Sequence, residues 1–160
     1  FFRGQVDKYT WVDVGSSFLP GEITAAFLCA QIEEADQITA RRLAIWDRYQ
    51  QWAAPHEAAG RLRRPIVPAD CQHNAHMFYM LLPDLDARTR FISEMKNRGV
   101  QTVFHYIPLH SAPAGLQAGR THGELHNTDA LSERLVRMPL WVGVEEHLEA
   151  IFAAADDVLA

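Results

Sequence analysis

A helical pattern of unusual length dominates the first third of the chain. Pro20-Gly21-Glu22 favours a helix start, because proline is tolerated at the first helical position and a carboxylate there faces the positive end of the helix dipole. Apolar residues then recur with a mostly helical period up to Trp52, and we expect the helix to end before Pro55. The run of more than 30 residues exceeds the usual length of a globular helix. The pattern therefore predicts two helices or one bent helix, with the break in the polar section of residues 33–39.

The middle of the chain alternates between strand and helix patterns. Residues 76–82 form a continuous apolar run, which predicts a strand covered on both faces, and residues 100–106 predict a second strand. Between them lies a helical pattern with Phe91 and Met95 on its apolar side and Gly99 just past its end. The order strand, helix, strand predicts a small sheet with helices on one face.

Two further helices are predicted in the last third, after a loop of residues 111–127. The first is stopped by Pro139, and its apolar side consists of Leu131, Leu135 and Met138. The last helix begins at Glu145 and runs towards the final residues of the chain.

The segment after the second predicted strand carries the most suggestive chemistry. His105, Tyr106 and His110 follow an apolar strand. Pro108 and Pro113 stop that strand and stiffen the loop, because proline fixes φ and lacks an N–H donor. Rigid loops at the ends of elements often carry binding groups. A half-buried strand end with amphipathic residues explains the same spacing equally well, so both interpretations stay open.

A second polar segment lies near the start of the chain. Ser16 and Ser17 place two hydroxyl groups next to the flexible Gly15. Such a turn can surround a phosphate with hydrogen-bond donors. A solvated turn is the simpler interpretation of the local sequence.

Charge and composition exclude several classes of function. The net charge is −5, and the basic cluster Arg61-Leu62-Arg63-Arg64 is short, which argues against a nucleic-acid surface. Two cysteines in no motif argue against a disulfide scaffold and favour the cytoplasm. No apolar run approaches the roughly 18 residues of a membrane span, so we expect no membrane partner.

A metal site is also not expected. His122 and His126 lie four residues apart and could share a helix face. Gly123 stands where the His-Glu-x-x-His zinc motif has its glutamate, and no third ligand is evident. A metal hydrolase built on these two histidines would need stoichiometric zinc, which we do not expect.

Several longer motifs resemble the DegT/StrS family of sugar-nucleotide aminotransferases, and together they span the entire chain. They are residues 1–11, Asp13-Val14-Gly15-Ser16-Ser17, His76-Met77-Phe78-Tyr79, residues 103–115, Ser132-Glu133-Arg134-Leu135 and Met138-Pro139-Leu140-Trp141. The resemblance implies an α+β fold in which a long helix or helix pair precedes a small antiparallel sheet with helices packed on one face. This is the C-terminal part of a fold-type I pyridoxal-phosphate (PLP) transferase. Residues 1–54 would end the large PLP domain, and residues 55–160 would form the small C-terminal domain.

The resemblance also implies an activity and its cofactor. Family members move an amino group, typically from glutamate, to the keto carbon of a nucleotide sugar. Here the substrate would be dTDP-4-dehydro-6-deoxy-D-glucose, aminated at C4 to dTDP-4-amino-4,6-dideoxy-D-galactose, a precursor of cell-surface polysaccharide. The cofactor, pyridoxal 5'-phosphate, is held by a lysine in the family's upstream part, so no catalytic residue is expected in this segment. Phe1 in place of a starting methionine favours a chain cut from a longer one, inactive by itself.

Binding roles follow from the family's motifs. Ser17, with Ser16 beside it, replaces an asparagine that reaches the cofactor phosphate of the neighbouring subunit. His105, Tyr106 and His110 lie on the substrate-facing loop, where they would bind the dTDP-linked keto sugar. A homodimer is implied, because active sites in this family form between subunits. The alternative is a stand-alone nucleotide-sugar binding or interaction module without catalysis.

Overall fold

The structure, a computed structural model, describes residues 19–160 of the chain. Of these, residues 19–35 belong to one compact unit, and Asp36–Ala160 form a second. The second unit contains all strands of the described part. The predicted domain boundary after residue 54 stays a prediction.

Two successive helices form the long helical stretch. α1 spans Glu22–Glu33 and α2 spans Ala35–Ala58, so the helix is interrupted at Glu34, inside the predicted polar section. The predicted end before Pro55 is wrong, because α2 continues for one more turn. A single turn after the proline loses only one backbone hydrogen bond, and the side chain of His56 in that turn is bonded to Asp156 at 2.8 Å.

Three short strands form one antiparallel sheet in the order β1-β3-β2. β1 spans Phe78–Leu81, β2 spans Val103–Phe104 and β3 spans Leu135–Met138. In the register, β3 pairs with β1 on one side and with β2 on the other. The two strands that flank the middle helix are therefore separated by a strand from much later in the chain.

This central strand occupies part of a predicted helix. Leu131, Leu135 and Met138 satisfy a helical period, but residues 135–138 also alternate, with Val136 and Met138 buried. α5 spans His126–Arg134 and ends where β3 begins. The extended form prevails because it gives both β1 and β2 their backbone hydrogen-bond partners.

Three further helices and a 3-10 turn complete the second unit. α3 spans Leu85–Asn97, with Gly99 just beyond it at a φ of 78°, which confirms the predicted helix end. α4, Pro113–Ala118, lies inside the segment predicted as loop, and β2 is shorter than the predicted strand of residues 100–106. A 3-10 turn, Val144–His147, precedes α6, Leu148–Leu159. Within residues 19–160, no helix combines the length and apolar character needed to cross a membrane.

The core of the second unit brings α2, α3 and α6 together with the sheet. The rings of Tyr49 and Phe78 stack with centroids 4.9 Å apart, and Trp46 packs edge-on against Phe78. Trp46 and Tyr49 thus pack in the core of the second unit. Fully buried side chains around them are Ile45, Met80, Leu82, Phe91, Met95, Val136, Val144 and Leu148.

Candidate functional site

The loop after β2 turns at Pro108 and leads into α4. The carbonyl of Pro108 accepts hydrogen bonds from the backbone N–H of Ser111 at 3.2 Å and of Ala112 at 3.0 Å. The Ser111 hydroxyl donates to the same carbonyl at 3.2 Å. α4 then begins at Pro113, a residue suited to the first helical turn. These bonds give the histidine-tyrosine segment a defined path from the sheet to the helix.

Gly115 in α4 lies against the backbone of this loop. A Cβ atom at this position would lie 1.6 Å from the carbonyl oxygen of Leu109. Because backbone meets backbone here, no flexible side chain can move aside. The position therefore requires glycine, and the contact holds the residue before His110 against the helix.

The first two predicted binding residues lie side by side. The rings of His105 and Tyr106 meet edge-on with centroids 5.2 Å apart. Tyr106 is 76% exposed, so its phenol is available to a ligand. The Nδ1 atom of His105 is buried and has no hydrogen-bond partner among the described residues.

The third predicted residue is held by a carboxylate. Nε2 of His110 lies 2.9 Å from Oδ1 of Asp129, which belongs to the first turn of α5. The side chain of His110 is 19% exposed and that of Asp129 49%. The contact joins the loop after β2 to α5 and restrains the orientation of the imidazole.

Two open cavities flank this contact. The first, of about 670 Å³, is called the His110 cavity; its lining includes His110, Arg120 and Thr121 together with residues of α4. The second, of about 560 Å³, is called the Tyr106 cavity; its lining includes Tyr106 and Asp129. Tyr106 and His110 thus line neighbouring spaces rather than one pocket, and the described lining of both leaves out His105.

The two cavities differ in charge. Arg120 supplies a cation to the His110 cavity, and no carboxylate belongs to its described lining. The Tyr106 cavity combines Arg88 with Asp129 and Glu133, and it also has hydroxyl groups from Tyr106 and serines 111 and 132. The first suits an anionic group, whereas the second suits a ligand with many hydroxyls.

Three charged residues of the site were not predicted from the sequence: Arg88, Arg120 and Asp129. The guanidinium of Arg88 lies over the ring of Phe104 at 5.2 Å, and its Nε is buried without a partner in the described part. A signal for Arg88 existed, since it lies three residues before Phe91 and so borders the same buried stripe of α3. For Arg120 and Asp129 we find no local signal.

Of the histidines 122 and 126, which the sequence places four residues apart, His126 forms a surface contact with a glutamate. Nε2 of His126 lies 2.6 Å from Oε2 of Glu124, and both side chains are 81% exposed. Among residues 19–160, no group of three potential metal ligands comes together.

The family comparison covers almost the whole chain. The model of the DegT/DnrJ/EryC1/StrS aminotransferase family matches residues 2–155. The chain belongs to this family. The match extends across both predicted binding segments. These are Ser16-Ser17 and the histidine-tyrosine loop, which carries His105, Tyr106 and His110.

Two curated relatives and one solved structure illustrate the similarity. An uncharacterized protein of Methanocaldococcus jannaschii is 28% identical over 138 residues, which is 83% of this chain and 35% of that protein. The dTDP-4-dehydro-2,3,6-trideoxy-D-glucose 4-aminotransferase of Saccharopolyspora spinosa is 25% identical over 134 residues, 84% of this chain and 33% of the enzyme. The structure of S. venezuelae DesV superposes with a TM-score of 0.76 at 23% identity, covering 97% of this chain and 41% of DesV. The chain spans about a third of the length of the curated relatives it matches.

The fold is that of a segment of a PLP aminotransferase: helices and a small antiparallel sheet. Enzymes of this family depend on PLP, and solved structures with the same fold hold the cofactor as PLP or PMP. The residues described here do not complete a site for it. The lysine among residues 19–160 is Lys96, which is exposed in the last turn of α3. Ser16 and Ser17, the predicted phosphate ligands, lie outside the described residues.

Proposed function

We propose that this chain supplies the C-terminal part of a PLP-dependent sugar-nucleotide aminotransferase. The observation that carries the proposal is the family match over residues 2–155. The similarity to a dTDP-sugar 4-aminotransferase supports a dTDP-linked substrate. The specific activity we propose is that of dTDP-4-amino-4,6-dideoxygalactose transaminase, which transfers the amino group of glutamate to C4 of dTDP-4-dehydro-6-deoxy-D-glucose.

In this proposal the chain binds substrate rather than performing the chemistry. The lysine that holds PLP comes from elsewhere in the complete enzyme, and Ser16 and Ser17 contact the cofactor phosphate. The segment alone is inactive. The complete enzyme is a cytoplasmic homodimer whose sites are shared between subunits, and its product feeds polysaccharide synthesis.

The charge difference between the two cavities supports separate binding places for the diphosphate and the sugar of the substrate. The diphosphate of the nucleotide sugar binds in the His110 cavity, where Arg120 provides positive charge. The sugar binds between His110 and Tyr106, with His105 beside Tyr106. Imidazole and phenol groups can both accept and donate hydrogen bonds to sugar hydroxyls.

Replacing His110 tests this assignment. In the complete enzyme, His110→Ala should raise the KM for the dTDP-keto sugar about 10-fold or more, the effect expected when one hydrogen bond is lost. The Kd for PLP, measured from the cofactor absorbance, should change less than about twofold. The matched control is His126→Ala, because His126 forms a similar histidine-carboxylate pair that is exposed on both sides. Equal loss of sugar-nucleotide turnover and PLP affinity, or loss of neither, would contradict the role of His110.

A binding module without catalysis is the second candidate. It is supported by the two cavities, whose lining consists of residues of this chain alone. A protein of this kind would bind a dTDP-sugar in the absence of PLP and would show no cofactor absorbance after incubation with PLP.

A further inference from the structure

We propose that Asp129 is a positioning residue that fixes the tautomer of His110 and so determines which ligand group His110 recognises. The inference rests on the proposed function, because it concerns how the same loop binds a nucleotide sugar. Neither Asp129 nor its contact could be identified from the sequence, because the residues lie in separate segments of the chain.

The first step concerns the hydrogen between the two side chains. An ionised aspartate only accepts hydrogen bonds, whereas a histidine ring nitrogen either donates or accepts. Nε2 of His110 lies 2.9 Å from Oδ1 of Asp129. Nε2 therefore carries the ring hydrogen and donates a hydrogen bond to the carboxylate. In the neutral ring the other nitrogen, Nδ1, then holds a lone pair and acts as an acceptor.

The second step concerns the ligand. His110 and Arg120 line the same cavity, while Asp129 lines the neighbouring Tyr106 cavity. The carboxylate thus occupies Nε2, and Nδ1 is the nitrogen left for a ligand. An acceptor pairs with a hydroxyl group and not with a diphosphate oxygen, which is itself an acceptor. His110 is thereby assigned to a sugar hydroxyl, and the diphosphate is left to Arg120.

The third step concerns why Asp129 is suited to this role. It lies in the first turn of α5, where the helix dipole favours a negative charge. Its partner is 19% exposed, so water competes little for Nε2. The pair His126–Glu124 differs in both respects, since Glu124 precedes α5 and both side chains are 81% exposed.

Binding experiments on the complete enzyme test the inference with two probes. dTDP-glucose carries the diphosphate and the sugar hydroxyls, whereas dTDP carries only the diphosphate. Asp129→Ala should weaken binding of dTDP-glucose about 10-fold in calorimetry and leave dTDP within about twofold, because only the hydroxyl contact is lost. Asp129→Asn, which keeps the shape but removes the charge, should give a smaller loss in the same direction. Glu124→Gln is the matched control and should change neither affinity.

A double-mutant cycle identifies the residue through which Asp129 acts. If it acts through His110, the variant with both alanine substitutions should bind dTDP-glucose no more weakly than His110→Ala alone. Additive losses would overturn the inference, and so would an equal loss for dTDP and dTDP-glucose.

Failure of the proposed function gives a different result. If His110→Ala leaves binding of dTDP-glucose unchanged, the substrate role of the loop is wrong. The Asp129 inference is still decided in that case by the ¹⁵N shifts of histidine-labelled enzyme. They should show a protonated Nε2 and an unprotonated Nδ1 on His110, with the two tautomers mixed in Asp129→Asn. An unprotonated Nε2 in the unmodified enzyme would refute the Asp129 inference.

Discussion

At the scale of single residues, Tyr49 shows how a polar group is accommodated in the core. Its side chain is fully buried, yet its hydroxyl donates a hydrogen bond of 2.7 Å to the carbonyl of Pro139, just after β3. Its ring stacks on Phe78 of β1. One residue of α2 therefore fixes both the end of the central strand and the position of an outer strand.

Replacing Tyr49 by phenylalanine should keep the ring packing and remove the hydrogen bond. The carbonyl of Pro139 would then be left without this donor, and we expect a loss of about 1–3 kcal/mol in the free energy of unfolding. Urea titration at neutral pH measures it. Tyr106→Phe, which removes a hydroxyl from a largely exposed side chain, is the control and should change stability by less than about 0.5 kcal/mol.

The same variant should alter the dependence of stability on pH. Burial raises the pKa of the Tyr49 phenol above its ordinary value. An unfolded tyrosine ionises near pH 10, so the stabilisation from Tyr49 is complete below about pH 10 and is lost as the pH rises further. Because phenylalanine has no proton to lose, the stability difference between the two proteins should narrow above about pH 10. A constant difference would indicate that the phenol ionises equally in both states.

At the scale of elements, a single carboxylate joins the last helix to the long one. Oδ1 of Asp156 in α6 accepts a hydrogen bond from the indole N–H of Trp52 at 2.8 Å and lies 2.8 Å from Nε2 of His56. The rings of Trp52 and Phe152 stack beside it, 5.3 Å apart. These contacts hold the turn of α2 that follows Pro55.

Removing this carboxylate should loosen the end of α2. We expect Asp156→Ala to lower the free energy of unfolding by about 1–2 kcal/mol, because the indole and the buried imidazole both lose their partner. The neighbouring Asp157→Ala is the control, since Asp157 is exposed and should change stability by less than about 0.5 kcal/mol. Amide hydrogen exchange of residues 56–58 should become faster only in Asp156→Ala. Equal effects of the two substitutions would show that the contact contributes nothing specific.

At the scale of the whole molecule, the two units differ in how their apolar residues are used. The second unit buries large side chains from α2, α3, α6 and the sheet in one cluster. α1 has no buried residue, and its exposed apolar side chains are Ile23, Phe27, Leu28 and Ile32. Within residues 19–160, the apolar burial that stabilises the fold therefore comes from the second unit.

Two phenylalanine substitutions measure this difference. Phe91 is 1% exposed, so Phe91→Ala should lower the free energy of unfolding by about 3–5 kcal/mol through lost burial and the cavity left behind. Phe27 is 70% exposed, and Phe27→Ala should change the same quantity by less than about 0.5 kcal/mol. A large loss for Phe27→Ala would mean that α1 belongs to a packed core in solution.

Local patterns in the sequence were enough to predict part of this fold. The break between α1 and α2, the buried stripe of Phe91 and Met95, and the helix end before Gly99 all follow from signals that act over one or two helical turns. The histidine-tyrosine loop could also be located from its sequence. The binding roles of His105, Tyr106 and His110 stay predictions.

Long-range contacts determined the rest. Residues 135–138 match a helical and a strand period alike, and they became the central strand because both β1 and β2 need a backbone partner. α2 passes Pro55 because Asp156, a hundred positions later, bonds to the turn that follows. Asp129 meets His110 because the loop after β2 and the start of α5 come together in the folded chain. The amino-acid sequence alone determined the break between α1 and α2 and the end of α3 before Gly99, since those signals are local. Only the tertiary structure decided the end of α2, the strand pairing and the charged contacts of the site, since their partners are distant in the chain.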